Sequence, residues 1–263
     1  MIERVSEILR AAAAQEIIPR YQKLRAGEIS EKSPGEMVTV ADQAAEAFIT
    51  RELGALMPHG VVVGEEATAA DPSLLKAVGG PGPVFVVDPL DGTRNFIAGK
   101  PVFAVMAALL TGGVTRAAWI LRPIAGDLTV AEEGSGAFFE DRRLHLAAAG
   151  ANPADWSVAI HSTMMPPAMR HHADAARPHF ANSEGQYCAG FDHVDVACGK
   201  RQGAVFSRTL PWDHAPGELI VREAGGATGQ FDGAAYEPPG LTGGLITASD
   251  PATWRRLRDM VIA

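Results

Sequence analysis

The chain has 263 residues, a formal net charge of −8 and a pI near 5.5, long enough to bury a substantial core as one large domain or two intimate layers. Its acidic balance argues against a nucleic-acid-binding surface, which would be basic, and no apolar run approaches the roughly 20 residues needed to cross a bilayer. Two cysteines, Cys188 and Cys198, imply neither a disulfide framework nor a four-ligand zinc site; with a charged, helical N-terminus unlike a signal peptide, the expected location is cytoplasmic.

Ile2, Val5, Leu9, Ala12 and Ala13 recur at helical spacing, which predicts a helix from residue 2 to about 26, stopped by Gly27. A second helix is expected over Ala41 to Leu56, with Ala45, Phe48, Ile49, Leu53 and Leu56 inward. Strands are expected near 61–64, 84–88, 102–110, 114–121 and 127–131. Pro101 to Leu110 is apolar throughout, as a strand covered on both faces would be. From Gly150 the pattern changes: a strand near 156–161, a helix near 189–199, a strand at 204–206, a helix over 213–224, strands near 227–231 and 244–248, and a last helix from about Asp250. This divides the chain into an N-terminal half, 1–150, and a C-terminal half, 151–263, within one compact unit.

Asp88-Pro89-Leu90-Asp91-Gly92-Thr93 is the most informative stretch. It follows the buried run Val84-Phe85-Val86-Val87 directly, so two carboxylates and a glycine turn stand at a strand end. Magnesium-like cations take carboxylate and carbonyl oxygens and keep positions for phosphate. Asp88 and Asp91 supply carboxylates and Leu90 a carbonyl, while Gly92 and Thr93 offer backbone N–H groups suited to phosphate. A polar turn capping the strand is the plain alternative. It loses ground beside Gly64-Glu65-Glu66, a second strand ending in acids, and Trp212-Asp213 before a helix that stops at Gly225-Gly226.

These three pieces, in this order, resemble the inositol monophosphatase family of magnesium-dependent phosphatases. Gly64-Glu65-Glu66 matches Gly-Glu-Glu, and Asp88 to Phe96 matches Asp-Pro-Ile/Leu-Asp-Gly-Thr-x-Asn-Phe. Trp212 to Gly217 and Glu223 to Gly226 match Trp-Asp-x-Ala-x-Gly and Glu-Ala-Gly-Gly. The likeness runs from about Lys32 to Gly226. It implies an α/β fold, a layered α/β/α/β/α sandwich, with the site between the halves.

The resemblance further implies two or three Mg²⁺ ions per site. Asp88 would be shared between metals, with Glu65 and the Leu90 carbonyl completing one position and Asp91 and Asp213 another. Activated water would lie near Glu65 and Thr93, and Asp42 would hold the Thr93 hydroxyl. Gly92, Thr93, Asp91, Ala189 and Asp213 would contact the substrate. A homodimer and a small phosphomonoester partner are also implied, with neither nucleic acid nor membrane. Asp213 fits an N-cap as well, with Pro216 in the first helical turn, and Thr39 with Asp42 fits a capping box. Glu66 reads as a supporting acid, and Arg94 and Asn95 as supports of the turn. Lys32 to Asp42, marked by Gly and Pro, reads as a flap.

Substrate recognition departs from the family. The acid commonly found seven residues before the final Asp is Phe206 here, and the Gly-Ser/Thr-Ala segment is Tyr187-Cys188-Ala189. Phe cannot grip a polyol, so specificity is relaxed or redirected. Inositol monophosphate, histidinol phosphate, a 3′-phosphonucleotide or a sugar bisphosphate all stay open. His161, His171, His172 and His179 read as a solvated loop, and Cys188 as a small buried group. A dehalogenase-type phosphatase is excluded because its aspartates stand two apart, not three. A non-catalytic binding protein of the same fold would be expected to lose an acid, and none is lost.

Overall fold

The computed structural model describes residues 1–262. Helix α1 (Ile2–Ala12) is amphipathic and buries Val5, Ile8, Leu9 and Ala12. The expected helix to residue 26 is not what forms. Pro19 cannot donate into a helix and crowds the preceding turn, so the winding widens to a π turn at Ala13–Ile17, tightens at Ile18–Arg20 and ends there. A hairpin absent from the sequence reading follows, β1 (Ile29–Ser33) with β2 (Glu36–Thr39); its strands are short and β1 is polar, so no apolar pattern announced it. Helix α2 (Val40–Leu56) starts at the expected capping box, the Thr39 side chain accepting from Ala41 N–H and Asp42 accepting from Thr39 N–H.

Seven strands then form one sheet: β3 (Val61–Gly64), β4 (Pro83–Asp91), β5 (Ala104–Thr111), β6 (Val114–Arg122), β7 (Asp127–Glu132), β8 (Gly136–Phe139) and β9 (Arg142–Arg143), in that spatial order. Only β3 and β4 are parallel neighbours. Between them lies α3 (Glu65–Ala70), and after β4 comes α4 (Thr93–Ile97). A second sheet, ordered β10 (Val158–His161), β11 (Gly203–Phe206), β13 (Leu245–Ala248), β12 (Ala227–Gly229), lies beyond. Its helices are α5 (Pro167–Ala176), α6 (Ala189–Ala197), α7 (Pro211–Glu223) and α8 (Pro251–Val261).

The layers follow from which faces are apolar. One core joins α1 and α2 to one face of the large sheet through Leu9, Ile49, Phe85 and Trp119. A second fills the space between the sheets with α6 and α7, using Met106, Ile120, Val194, Phe206 and Leu219. A third joins α5 and α8 to the outer face of the small sheet through Val158, Val205, Ala173 and Leu257. The result is the expected α/β/α/β/α sandwich, and α6 and α7 are buried because both their sides face sheets. No helix among the described residues is long and apolar enough to cross a membrane.

Two local expectations need correction. The stretch holding His171 and His172 is helix α5, not a loop: Pro167 sits in its first turn, and Ala173 and Ala176 bury its inner side. Helix α7 begins at Pro211, not Asp213. Leu210 is extended, and the fixed φ of Pro211 suits the first helical position, so Asp213 lies inside the first turn and Pro216 deeper in the helix.

Candidate active site

Parallel pairing of β3 with β4 sets Gly64 opposite Val87, so the acids that follow both strands emerge at the same edge. Glu65 opens α3 and Asp88 ends the regular part of β4. A register shift against β5 lies between Asp88 and Asp91; such a bulge re-aims side chains and lets Asp91 join Asp88. Gly92 then turns the chain at φ +86°, where a Cβ would also meet the Val102 carbonyl at 2.9 Å, so glycine is required. From the other half, the first turn of α7 presents Asp213. Leu210, not Asp213, is the N-cap, which leaves the Asp213 carboxylate to the site.

Glu65, Asp88 and Asp213 each bring a carboxylate oxygen within 4.8 Å of the others. Asp88 is 2% exposed. Burial, then the charges of Glu65, Asp91 and Asp213, push its carboxyl well above the ordinary range. Asp213 is pushed up the same way, by burial and then by Glu65 and Asp91. Asp91 rises to about 6 through burial, against hydrogen bonds from Cys188 and the N–H groups of Gly190 and Ala189. Its Oδ2 accepts from Gly190 N–H at 2.7 Å and from Cys188 Sγ at 3.0 Å. The start of α6, with Ala189, is thus committed to Asp91. Cys188 is buried, and burial with the Asp91 charge holds its thiol protonated well above the usual range.

All-oxygen donors that repel one another in a buried setting fit hard divalent cations, which take carboxylates and carbonyls. Leu90 contributes N–H to Asp88 Oδ1 at 2.9 Å, and its carbonyl faces Thr93 Oγ1 at 3.0 Å. Thr93 Oγ1 also lies 2.9 Å from Asp42 Oδ1. One hydroxyl proton serves one of these acceptors at a time. Burial raises Asp42 to about 6, opposed by hydrogen bonds from Thr39 and Thr93.

Several site residues were not found by sequence reasoning. Lys32, on the hairpin, donates to Glu65 at 2.6 Å and to Glu66 at 2.7 Å. Burial lowers its affinity for a proton, but the two acids outweigh that and hold it charged. Glu66 is raised to about 7 by burial, with Lys32 opposing; its N–H and that of Ala67 are taken by Glu46. Arg208 pairs with Glu36 and Arg94 donates to the Gly35 carbonyl, pinning the hairpin over the site. Asn95 supports the turn as expected, donating to the carbonyls of Val102 and Gln186 at 2.9 Å.

Beside the acids lies a cavity of about 240 Å³, walled by Asp91, Asp213, Ala189, Tyr187, Phe206 and His161, with Arg208 at its side. His161 is therefore not in a solvated loop: it ends β10 and faces the site. His171, His172 and His179 are exposed and stand apart from it. Phe206 is buried and stacks on His161, with ring centroids 5.1 Å apart and planes 9° apart. No short-range pattern could have found His161, because its partner is 45 residues away.

The model of the inositol monophosphatase family matches residues 2–263. Inositol-1-monophosphatase of Rhizobium meliloti is 32% identical over 89% of this chain and 86% of its own. Nus factor SuhB of Escherichia coli K12 is 31% identical, covering 96% and 93%. The crystal structure of the extragenic suppressor protein suhB from Bartonella henselae superposes with a TM-score of 0.85 at 29% identity, covering 99% and 98%. A fold matched along its whole length, with its acids gathered where two strand ends and a helix start converge, is thus placed among known proteins: the chain belongs to the inositol monophosphatase family.

Proposed function

We propose that the protein hydrolyses a small phosphate monoester, of inositol monophosphate type, with Mg²⁺. The observation that carries this reading is the gathering of Glu65, Asp88 and Asp213 within 4.8 Å, with Asp91 beside them and a cavity alongside. Glu65, Asp88, the Leu90 carbonyl, Asp91 and Asp213 would hold two or three ions. When bound, such ions neutralise the phosphate dianion and acidify a water.

The chain's own residues do the rest. The N–H groups of Gly92 and Thr93 point where a helix begins and suit a phosphate oxygen. When Thr93 turns its proton to Asp42, its oxygen is left to accept one from water. Lys32 screens Glu65 and Glu66 from each other, so Glu65 can face the site. The leaving group lies in the cavity between Tyr187 and Phe206. Purified protein assayed with magnesium against inositol 1-phosphate, histidinol phosphate, a 3′-phosphonucleotide and a sugar bisphosphate should release phosphate from at least one. Silence across the panel would move the reading to a non-catalytic binding protein. The name Nus factor, carried by SuhB relatives, motivates that second reading; the intact acid set argues for catalysis. A homodimer is part of the proposal through the family alone.

A further inference from the structure

We infer that His161 reads the leaving group, accepting a hydrogen bond at Nδ1 from one of its hydroxyls. The inference rests on the phosphomonoesterase proposal and names the substrate class within it. Phe206 offers no acceptor, yet the cavity is not without one. Strands β10 and β11 pair in parallel with His161 directly opposite Phe206, so the two side chains rise together on one face. The acceptor has moved one strand over, at the same height.

The ring is fixed in place. Phe206 covers one face. Gly185 lies so close that a Cβ there would sit 2.4 Å from the His161 Cε1. Nε2 meets Asp192 Oδ2 at 2.8 Å. That carboxylate is fully buried and faces donors on every side: Gln186 N–H at 3.1 Å, Arg201 Nε at 3.5 Å and the imidazole. It accepts from the ring, so the neutral imidazole carries its proton on Nε2 and keeps a lone pair on Nδ1. Nδ1 has no hydrogen-bond partner among the described residues, and the His161 side chain is partly exposed and lines the cavity, which leaves Nδ1 accessible. Its complement is a donor on the substrate.

Tyr187 gives a second, independent sign that this wall is built for a ligand. Its φ is +54°, a left-handed conformation costing about 1–2 kcal/mol for a side chain with a Cβ. That backbone holds the phenol exposed at the rim, edge-on to His161 at 6.4 Å. Strain of this kind at a cavity mouth points to use. Arg208 lines the same cavity and would repel an ammonium, and the acids there, Asp91 and Asp213, are the proposed metal ligands, so a neutral hydroxyl suits Nδ1 better.

The test compares glycerol 2-phosphate with isopropyl phosphate, which has the same branched ester and no hydroxyl, and 2-hydroxyethyl phosphate with 2-aminoethyl phosphate. The wild type should favour the hydroxylated member of each pair in kcat/KM, mainly through KM. His161→Leu should lower the first ratio by about 3- to 10-fold, one neutral hydrogen bond, the loss falling on the hydroxylated ester. His161→Gln, which keeps an acceptor, should recover part of the ratio. Nitrogen-15 spectra of the wild-type imidazole should show the proton on Nε2. Equal ratios in wild type and His161→Leu, a preference for the amine, or a proton on Nδ1 would each overturn the role of His161 and leave the phosphatase standing. No hydrolysis of any of the four esters would overturn the role of His161, and silence on inositol 1-phosphate and the rest of the earlier panel as well would remove the phosphatase too.

Discussion

Asp88→Asn tests the acid cluster through two effects of opposite sign. At separations up to 4.8 Å, two unit charges repel by about 3.5 kcal/mol at an effective dielectric of roughly 20. Asp88 faces Glu65 and Asp213 at that range and Asp91 besides. Burial first, and then this repulsion, push its carboxyl well up, and taking up a proton relieves both. What remains is the cost of keeping an acid buried among acids, on the order of 1–3 kcal/mol. Asparagine keeps the oxygen that accepts from Leu90 N–H and removes the charge. The variant without metal should therefore be more stable than the wild type, melting roughly 2–12 °C higher.

Magnesium reverses the order. A cation at a hundred times its dissociation constant stabilises the protein that binds it by about 2.7 kcal/mol. That is roughly 5–10 °C for a chain of this size. The wild type should show that rise and Asp88→Asn little of it, with activity lost. The assay is calorimetry in chelator and in magnesium, which needs no substrate. A variant that melts lower than the wild type in chelator and still gains the full magnesium shift would refute the reasoning, because Asp88 would then be a structural acid.

Glu65→Gln should abolish turnover while Glu66→Gln keeps most of it, since Lys32 bonds both acids but only Glu65 joins the cluster; steady-state rates with equal losses would show the two acids misassigned. Turnover should fall as pH drops through about 6, where Asp42 takes up a proton and stops accepting from Thr93. Because that carboxyl is raised in the fold, its contribution to stability runs the other way, present below its ordinary value of 3.8 and lost as pH rises through about 6. Asp42→Asn should remove the acid limb from the rate profile and flatten this part of the stability curve between pH 4 and 7; an unchanged limb assigns it elsewhere. Tyr187→Gly should leave the melting temperature nearly unchanged, since relief of about 1 kcal/mol of left-handed strain is offset by a similar loss through the freer unfolded chain. KM should rise, and an unchanged KM would free Tyr187 from the cavity wall.

Elements with a strong period or a buried apolar run were legible in the sequence. Helix α2 has its capping box and inward Ala45, Ile49 and Leu53; β5 and the first part of β4 are nearly continuous apolar runs because helices cover both faces of their sheet. What was not legible has local causes that composition hides. Pro19 ended the first helix earlier than Gly27 suggested, and Pro211 rather than Asp213 began α7. The β1–β2 hairpin is too short and polar to show a pattern, yet it brings Lys32 to Glu65 and Glu66.

The site divides along the same line. Asp88, Asp91, Gly92 and Thr93 are contiguous, so one stretch of chain announces them, and Glu65 and Asp213 each stand at a recognisable strand end or helix start. The residues around the leaving group come from separate elements. Phe206 was visible as a departure, and by itself it implied a lost grip. The structure adds what no spacing contains: the pairing of β10 with β11 sets His161 at its side, and Asp192 on α6 fixes which nitrogen faces the cavity. Chemistry that acts on phosphate needs a fixed cluster of acids and is written in short motifs. Recognition of the leaving group needs only one acceptor at the right height, and either of two neighbouring strands can carry it. A departure at one position is therefore weak evidence that recognition is gone, until the residue opposite it has been identified.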